Sequence, residues 1–239
     1  MKCFTKVTVR FVLALSIIST SLTSIGAQND KQGPEIRVSD SKILDAGEAS
    51  SRLSELRKGK AGAALDAYLQ KEGFSPHQGR DAFFGADIFF KSNDDKQAKV
   101  TVLLQDYVSQ STGKHDLDHA AIAFTTSSSG GQSKTYAFLL LLRGTSDPAK
   151  SVEYYVDDQN NVVPAHSWWT CLYTTLRSRC GPSCSASVSS CSVAFTSFAA
   201  FLNCIVQRAG CAGCVLGAMA CCTCNCNWWC SWACGCCRS

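Results

Sequence analysis

The spacing of apolar residues predicts a helical segment near the start of the chain body. Apolar side chains recur there at three- and four-residue intervals, the period of an amphipathic helix. They are Leu53, Leu56, Ala61, Ala64, Leu65, Tyr68 and Leu69. Gly59 and Gly62 are expected to divide the segment into two helices, and Gly73 is a suitable C-terminal stop.

From residue 82 onward the apolar pattern changes to that of strands separated by short turns. The predicted strands are residues 82–91, 99–108, 119–126, 135–143 and 151–156. Residues 138–142 are all apolar, as expected for a central strand buried on both faces. Short connections favour an antiparallel sheet, so residues 28–157 are predicted to form an α+β body with its helices first.

The last third of the chain has a different pattern. Residues 158–167 are predicted to be a linker, and residues 168–239 a small, disulfide-rich, partly helical domain. Within it, residues 168–190 are polar and serine-rich with a turn at Gly181. The apolar stretches 192–206 and 211–222 are expected to form a helical hairpin.

The N-terminus has the features of a secretory signal peptide. Lys2, Lys6 and Arg10 precede a short apolar run at residues 11–18, and small residues lead to a cleavage site after Ala27. The run is shorter than the roughly 20 residues that a transmembrane helix needs. Residues 1–27 are therefore predicted to direct the protein out of the cell, as a secreted, extracellular protein.

Fifteen of the sixteen cysteines lie in residues 168–239, which we call the tail. They are Cys171, Cys180, Cys184, Cys191, Cys204, Cys211, Cys214, Cys221, Cys222, Cys224, Cys226, Cys230, Cys234, Cys236 and Cys237. Outside the cytosol such density predicts a disulfide framework. The number is odd, and the sequence leaves the connectivity open.

Charge separates the same two regions. The tail carries Arg177, Arg179, Arg208 and Arg238 with no Lys, Asp or Glu, whereas residues 28–165 have sixteen basic and nineteen acidic residues, a net charge of −3. An acidic body is therefore expected to pair with its basic tail within the chain. The acidic body also argues against nucleic-acid binding.

All five tryptophans lie in the tail, at Trp168, Trp169, Trp228, Trp229 and Trp232. Tryptophan prefers the membrane interface, and arginine is attracted to anionic headgroups. These nine side chains, the five tryptophans and the four arginines, are the predicted contacts with the anionic lipid membrane of a target cell.

Two other interpretations of the tail remain open. The tryptophans could form the core of a compact disulfide domain with a binding or structural role. Alternatively, Cys211-x-x-Cys214 and the closely spaced Cys222, Cys224 and Cys226 could hold a metal as thiolates. We expect no metal and no cofactor, because the tail from Trp168 onward has no histidine and many aromatic residues.

The body offers little that predicts catalysis. His115 and His119 lie four residues apart beside Asp116 and Asp118, a spacing that could bind a metal on a helix. They fall between two predicted strands, however, where such residues usually form a solvated turn. Because the sequence has no catalytic triad pattern, nucleophile elbow or phosphate-binding loop, we expect no enzyme.

The layout of signal peptide, body and C-terminal peptide resembles that of halocin-like bacteriocin precursors. Residues 171–214 share that family's rhythm of cysteines among small apolar residues with a glycine-rich hairpin, although residues 221–237 have more, and more closely spaced, cysteines. The resemblance implies an antimicrobial precursor whose tail is released as the killing peptide, with cleavage after Ala165. It also implies that the body can act as an immunity protein.

Overall fold

The structure of the protein, a computed structural model, describes residues 38–91, 97–110, 118–165, 168–208 and 210–223. All of these residues fall within one compact unit. The described elements belong to the α+β class: two helices, an antiparallel sheet and a C-terminal set of disulfide-linked helices. The predicted fold class is therefore confirmed.

The first helical segment is divided as the glycines predict. Helix α1 spans Ala46–Arg57 and helix α2 spans Lys60–Lys71, with Gly59 between them. Gly62 lies where the two helices meet, since a Cβ there would come within 2.5 Å of the Arg57 Cα. Gly73 ends the segment with a φ of +84°, a conformation that favours glycine.

The sheet contains all five predicted strands and three more. Its eight strands are β1 (Asp40–Ile43), β2 (Phe74–Pro76), β3 (Phe83–Lys91), β4 (Gln97–Ser109), β5 (His119–Ser129), β6 (Gln132–Leu142), β7 (Val152–Val156) and β8 (Val162–Ala165). Strands β3 to β8 pair antiparallel in chain order, β1 pairs with β3, and β2 pairs with the end of β4. The described residues thus form one antiparallel meander, as the short turns predict.

Both faces of the sheet are covered. Along β6, Leu139 and Leu141 belong to the core that the sheet shares with α1 and α2, whereas Leu140 and Leu142 belong to the core on the opposite face. Alternate residues of a strand point to opposite faces. The continuous apolar run at 138–142 is therefore explained by a strand that is buried from both sides.

The tail supplies the layer on the second face. It folds into helices α3 (Trp168–Ser178), α4 (Gly181–Val193), α5 (Phe198–Val206) and α6 (Ala212–Cys222). Helices α5 and α6 correspond to the predicted hairpin, and the serine-rich region, for which the sequence predicts only a turn at Gly181, forms α3 and most of α4. Side chains of all four tail helices share one core with the sheet strands β3 to β6.

Part of the segment predicted as a linker is a strand. Val162 and Val163 in β8 pair with Val156 and Tyr155 in β7, and Ala165 pairs with Glu153. Two adjacent valines favour extended backbone, and the neighbouring edge of β7 supplies the pairing that a linker would lack. The tail therefore begins directly after the last strand of the sheet.

Candidate functional site

The surface between the sheet and the tail helices is the candidate site; we call it the sheet–tail interface. The sheet contributes Val100, Val102 and Leu104 of β4, which alternate along one face. Helices α5 and α6 lie against β3 and β4, and α3 and α4 pack against these two helices. The interface is thus built from one face of the sheet and the apolar faces of the tail helices.

Aromatic rings from the tail fill the centre of this interface. Trp168, Trp169, Phe198 and Phe201 are all fully buried. The ring of Trp169 meets Phe198 edge-on at 5.1 Å between centroids, and Trp168 stacks on Phe138 of β6 at 6.3 Å. Such pairs each contribute about 0.5–1.5 kcal/mol beyond their burial. In the intact chain these two tryptophans therefore face the protein core, and membrane contact by them stays a prediction for a released tail.

A buried carboxylate of the sheet caps helix α3. Glu153 of β7 accepts hydrogen bonds from the backbone N–H groups of Trp168 and Trp169, at 3.2 and 2.9 Å. Its register partner is Leu140, which places its side chain on the tail face of the sheet. A helix N-terminus has unsatisfied N–H groups and partial positive charge, so a carboxylate there is stabilising.

A second buried carboxylate caps helix α5 in the same way. Both oxygens of Asp106 in β4 accept from the Ala199 N–H, at 3.2 and 3.1 Å. Burial raises the pKa of Asp106 to about 7, although hydrogen bonds from Ser197, Ala199 and Phe198 act in the opposite direction. The neighbouring Asp81 carboxylate raises this pKa further.

The polar contacts between body and tail at Glu153 and Asp106 differ from the pairing of acidic residues with arginines that the sequence predicted. At these two points the acidic side chains of the sheet meet helix N-termini and not arginines. The Arg177 guanidinium lies over the Tyr173 ring at 6.0 Å, and Arg208 donates to the Cys204 sulfur at 3.9 Å, so both contacts stay inside the tail. The sequence signal that could have found the caps is a lone acidic residue within an apolar strand.

The described cysteines are disulfide-bonded, which confirms the predicted framework. Four pairs are nested one inside the other along the chain: Cys171–Cys222, Cys180–Cys214, Cys184–Cys211 and Cys191–Cys204. Cys221 is disulfide-bonded as well. Because Cys211, Cys214 and Cys222 are in disulfides, they do not offer the thiolates that the metal interpretation needs.

The distribution of cysteines along the chain has a simple consequence for the covalent structure. Residues 28–170 contain no cysteine. No disulfide can therefore tie the tail to the sheet, and the backbone between Ala165 and Trp168 is the covalent link between the two. Ala165 itself ends strand β8.

Several predicted site residues lie outside the described residues. They are Ala27, His115, Cys224, Cys226, Trp228, Trp229, Cys230, Trp232, Cys234, Cys236, Cys237 and Arg238. Arg179, by contrast, is described and follows the end of α3 on the protein surface.

Asp118 and His119, the described end of the stretch that contains both histidines, contribute to a cleft at one end of the interface. His119 and Asp118 line a cavity of about 360 Å³ together with Asp106 and Ser197. The His119 ring packs edge-on against Phe195 of the tail at 5.1 Å, and burial lowers its pKa. Asp118 accepts a hydrogen bond from the Gly144 N–H at 2.9 Å. In the part of the chain that the structure describes, no group of three His, Cys, Asp or Glu residues is arranged to hold a metal.

The fold and this interface define an α+β protein in which a disulfide-bonded helical layer covers one face of an antiparallel sheet. Comparisons with protein-family models, with curated proteins and with solved structures gave no match for this chain.

None of the helices formed by the described residues is long and apolar enough to span a bilayer. The disulfide bonds indicate that the protein folds in an oxidising environment.

Proposed function

We propose that the protein is a secreted, bacteriocin-like antimicrobial precursor whose tail is released and acts on the membrane of target cells. The observation that carries this proposal is the confinement of the four described disulfides to the tail, with no cysteine in residues 28–170. A single backbone cut after Ala165 would therefore separate the tail from the sheet covalently. The signal-peptide pattern of residues 1–27 supports export.

The sheet–tail interface supports a role for the body in keeping the tail inactive. The same aromatic side chains that would enter a lipid interface, Trp168 and Trp169, are covered by the sheet and by neighbouring tail helices. An aromatic side chain buries about 150–250 Å². Removing the sheet would expose this apolar surface on a peptide that has four arginines and no Lys, Asp or Glu. Exposed tryptophan together with arginine is what binds to the interface of an anionic membrane.

The proposed mechanism has two steps after cleavage. The four tail arginines bring the peptide to anionic headgroups, at about 1 kcal/mol for each residue near the surface. The tail then turns its apolar surface from the sheet to the bilayer, and the disulfides keep its helices together during that transfer. The contacts of Trp228, Trp229, Trp232 and Arg238 with lipid belong to the same proposal.

The experiment compares intact and cut protein on vesicles. A recognition sequence for a site-specific protease is inserted after Ala165, and dye leakage is measured from phosphatidylglycerol–phosphatidylcholine vesicles and from phosphatidylcholine vesicles. We expect leakage only after cutting, mainly from the anionic vesicles, and its loss when the disulfides are reduced beforehand. Equal activity of the intact chain, or an inert cut chain, would contradict the proposal.

A second candidate is an exported disulfide-rich protein whose tail is a permanent structural or binding layer. The extensive packing of the tail on the sheet favours this candidate. Trp168 and Trp169 are buried, and their backbone N–H groups donate to Glu153. Mass spectrometry of the culture supernatant separates the two candidates. A product beginning near residue 166 supports the antimicrobial precursor, and an intact secreted chain supports the structural layer.

A further inference from the structure

The four described disulfides follow one geometric rule. Each joins a cysteine on or at the start of α5 or α6, the two helices that lie against β3 and β4, to a cysteine on or at the start of α3 or α4. The sheet-bound members are Cys204, Cys211, Cys214 and Cys222, and their partners are Cys191, Cys184, Cys180 and Cys171 in that order.

The tail by itself has little that could select this pairing before the bonds form. Its helices have 11, 13, 9 and 11 residues, and isolated helices shorter than about 12–15 residues are marginal in water. Helix α4 is also rich in serine, which has a lower helix propensity than alanine. The eight cysteines of these four disulfides alone can pair in on the order of a hundred ways, and the tail has fifteen cysteines. Something outside the tail must therefore restrict the choice.

The sheet can restrict the pairing, because it contacts the tail helices without using sulfur. Residues 28–165 contain no cysteine, so the sheet needs no disulfide of its own. Asp106 fixes the first turn of α5, and the Asn203 side chain donates to the Phe83 carbonyl of β3 at 3.1 Å, one residue before Cys204. These contacts hold α5 to the sheet at its first turn and again one residue before Cys204.

Helix α3 is also placed by contacts that do not involve sulfur. Glu153 caps its first turn from the sheet. The Trp168 indole N–H lies 3.3 Å from the Met219 carbonyl and 3.2 Å from the Thr223 hydroxyl, at the C-terminal end of α6. These contacts bring the start of α3, and with it Cys171, to the end of α6 that carries Cys222.

We propose that the tail face of the sheet is a folding template that selects the disulfide pairing of the tail. It orders α5 and α6 while the cysteines are still reduced, so that their four thiols form a fixed row to which the thiols of α3 and α4 are matched. Each bond then forms by thiol–disulfide exchange: two thiols lose two protons and two electrons to a small disulfide oxidant, which is reduced to two thiols. This role is independent of whether the mature tail kills cells.

Two neighbouring leucines of β4 provide a matched test. Leu104 is buried on the tail face, and Leu103 is buried on the face that meets α1 and α2. Leu140 and Leu139 of β6 form a second pair of the same kind. The full chain and the variants L104A, L140A, L103A and L139A are reduced in denaturant and refolded in a glutathione redox buffer. Disulfide pairing is then mapped by peptide mass spectrometry.

We expect the ratio of nested to other pairings to fall by about tenfold in L104A and L140A. Each truncation weakens the contact between sheet and tail helices by more free energy than a tenfold change in this ratio corresponds to. L103A and L139A remove a similar side chain from the other face and should stay within about twofold of the wild type. An equal fall in both groups, or no fall in either, would overturn the proposal. If a tail-face variant does not fold, V102A replaces it as a smaller truncation of the same face.

Discussion

Two acidic residues of the sheet cap the first turns of two tail helices, α3 and α5. Asp106 and Glu153 are each the single acidic residue of a largely apolar strand, and each is buried. A buried carboxylate is costly unless it is hydrogen-bonded, and here the bonds come from the N-termini of α5 and α3. These two residues therefore join the sheet to the tail by directional hydrogen bonds. The apolar contacts around them are less specific.

Asp106 should make stability depend on pH between about 4 and 7. Its pKa is raised to about 7 in the folded protein, whereas an unfolded aspartic acid has a pKa near 3.9. A raised pKa means that the contribution to stability is fully present below about 4 and is lost as the pH rises through about 7. Asp106→Asn should remove this loss, which can reach about 1.4 kcal/mol per pH unit. Urea unfolding at several pH values measures it.

The comparison with the wild type isolates Asp106 from other titrating groups. His119 shares its cavity and has a lowered pKa, so its own contribution runs in the opposite direction in both proteins. Asp157→Asn is the matched control, because Asp157 lies in an exposed turn with a lowered pKa and acts only near and below pH 4. Identical pH profiles for wild type and Asp106→Asn between pH 4 and 7 would refute the prediction.

At the scale of elements, tertiary contacts decide where helices form in the tail. Helix α4 begins at Gly181, whose φ of +77° suits glycine, and Pro182 follows in the first turn. Its serines do not favour a helix, yet Cys184, Val188 and Cys191 are buried on one face. Packing of that face and the disulfides of the two cysteines therefore outweigh the weak propensity of the serines.

Gly62 tests how closely α1 and α2 approach each other, and Gly213 in α6 is the matched control without a close neighbour. At Gly62 a Cβ would lie 2.5 Å from the Arg57 Cα and 2.8 Å from the Leu56 carbonyl oxygen, whereas at Gly213 in α6 it would meet nothing within 4 Å. We expect Gly62→Ala to destabilise the protein by about 1–3 kcal/mol through backbone displacement. Gly213→Ala should stabilise it by up to about 1 kcal/mol through helix propensity. Urea midpoints of the two variants measure both effects, and a stabilising Gly62→Ala would show that α1 and α2 are not in close contact.

At the scale of the whole molecule, the sheet is shared by two independent helical layers. Leu53, Leu65 and Leu69 fill the core on one face, and the tail aromatics fill the core on the other. The first layer belongs to the body, whereas the second has its own disulfides and is joined to the sheet covalently by backbone alone. A single backbone cut would therefore separate the tail from the body covalently.

Cutting after Ala165 should leave the tail bound until a competing apolar surface is present. The sheet–tail interface buries Trp168, Trp169, Phe198 and Phe201, and apolar burial stabilises by about 25 cal/mol per Å². We expect the cut protein to elute as one species in size-exclusion chromatography. Adding phosphatidylglycerol vesicles should move the tail to the lipid and leave the body in solution. Spontaneous separation in buffer would show that the interface is too weak to hold the tail.

The elements that the sequence predicted well are those with a strong apolar period. Helices α1 and α2, five of the strands and the α5–α6 hairpin follow from residue spacing together with glycines such as Gly59 and Gly73. The short strands β1, β2 and β8 were missed because each has three or four residues, too few for an alternating pattern to be distinguished from a loop. The disulfides were predicted as a class, and their pairing was not.

The sequence by itself determined the α+β class, the separation of an acidic cysteine-free body from an arginine-bearing cysteine-rich tail, and the burial of residues 139–142, because these depend on local period and composition. The tertiary structure decided that the tail covers one face of the sheet, that Trp168 and Trp169 point into that core, and that the disulfides are nested. Those features depend on contacts between residues far apart in the chain. Only the folded arrangement brings Asp106 to Ala199 and Glu153 to Trp168.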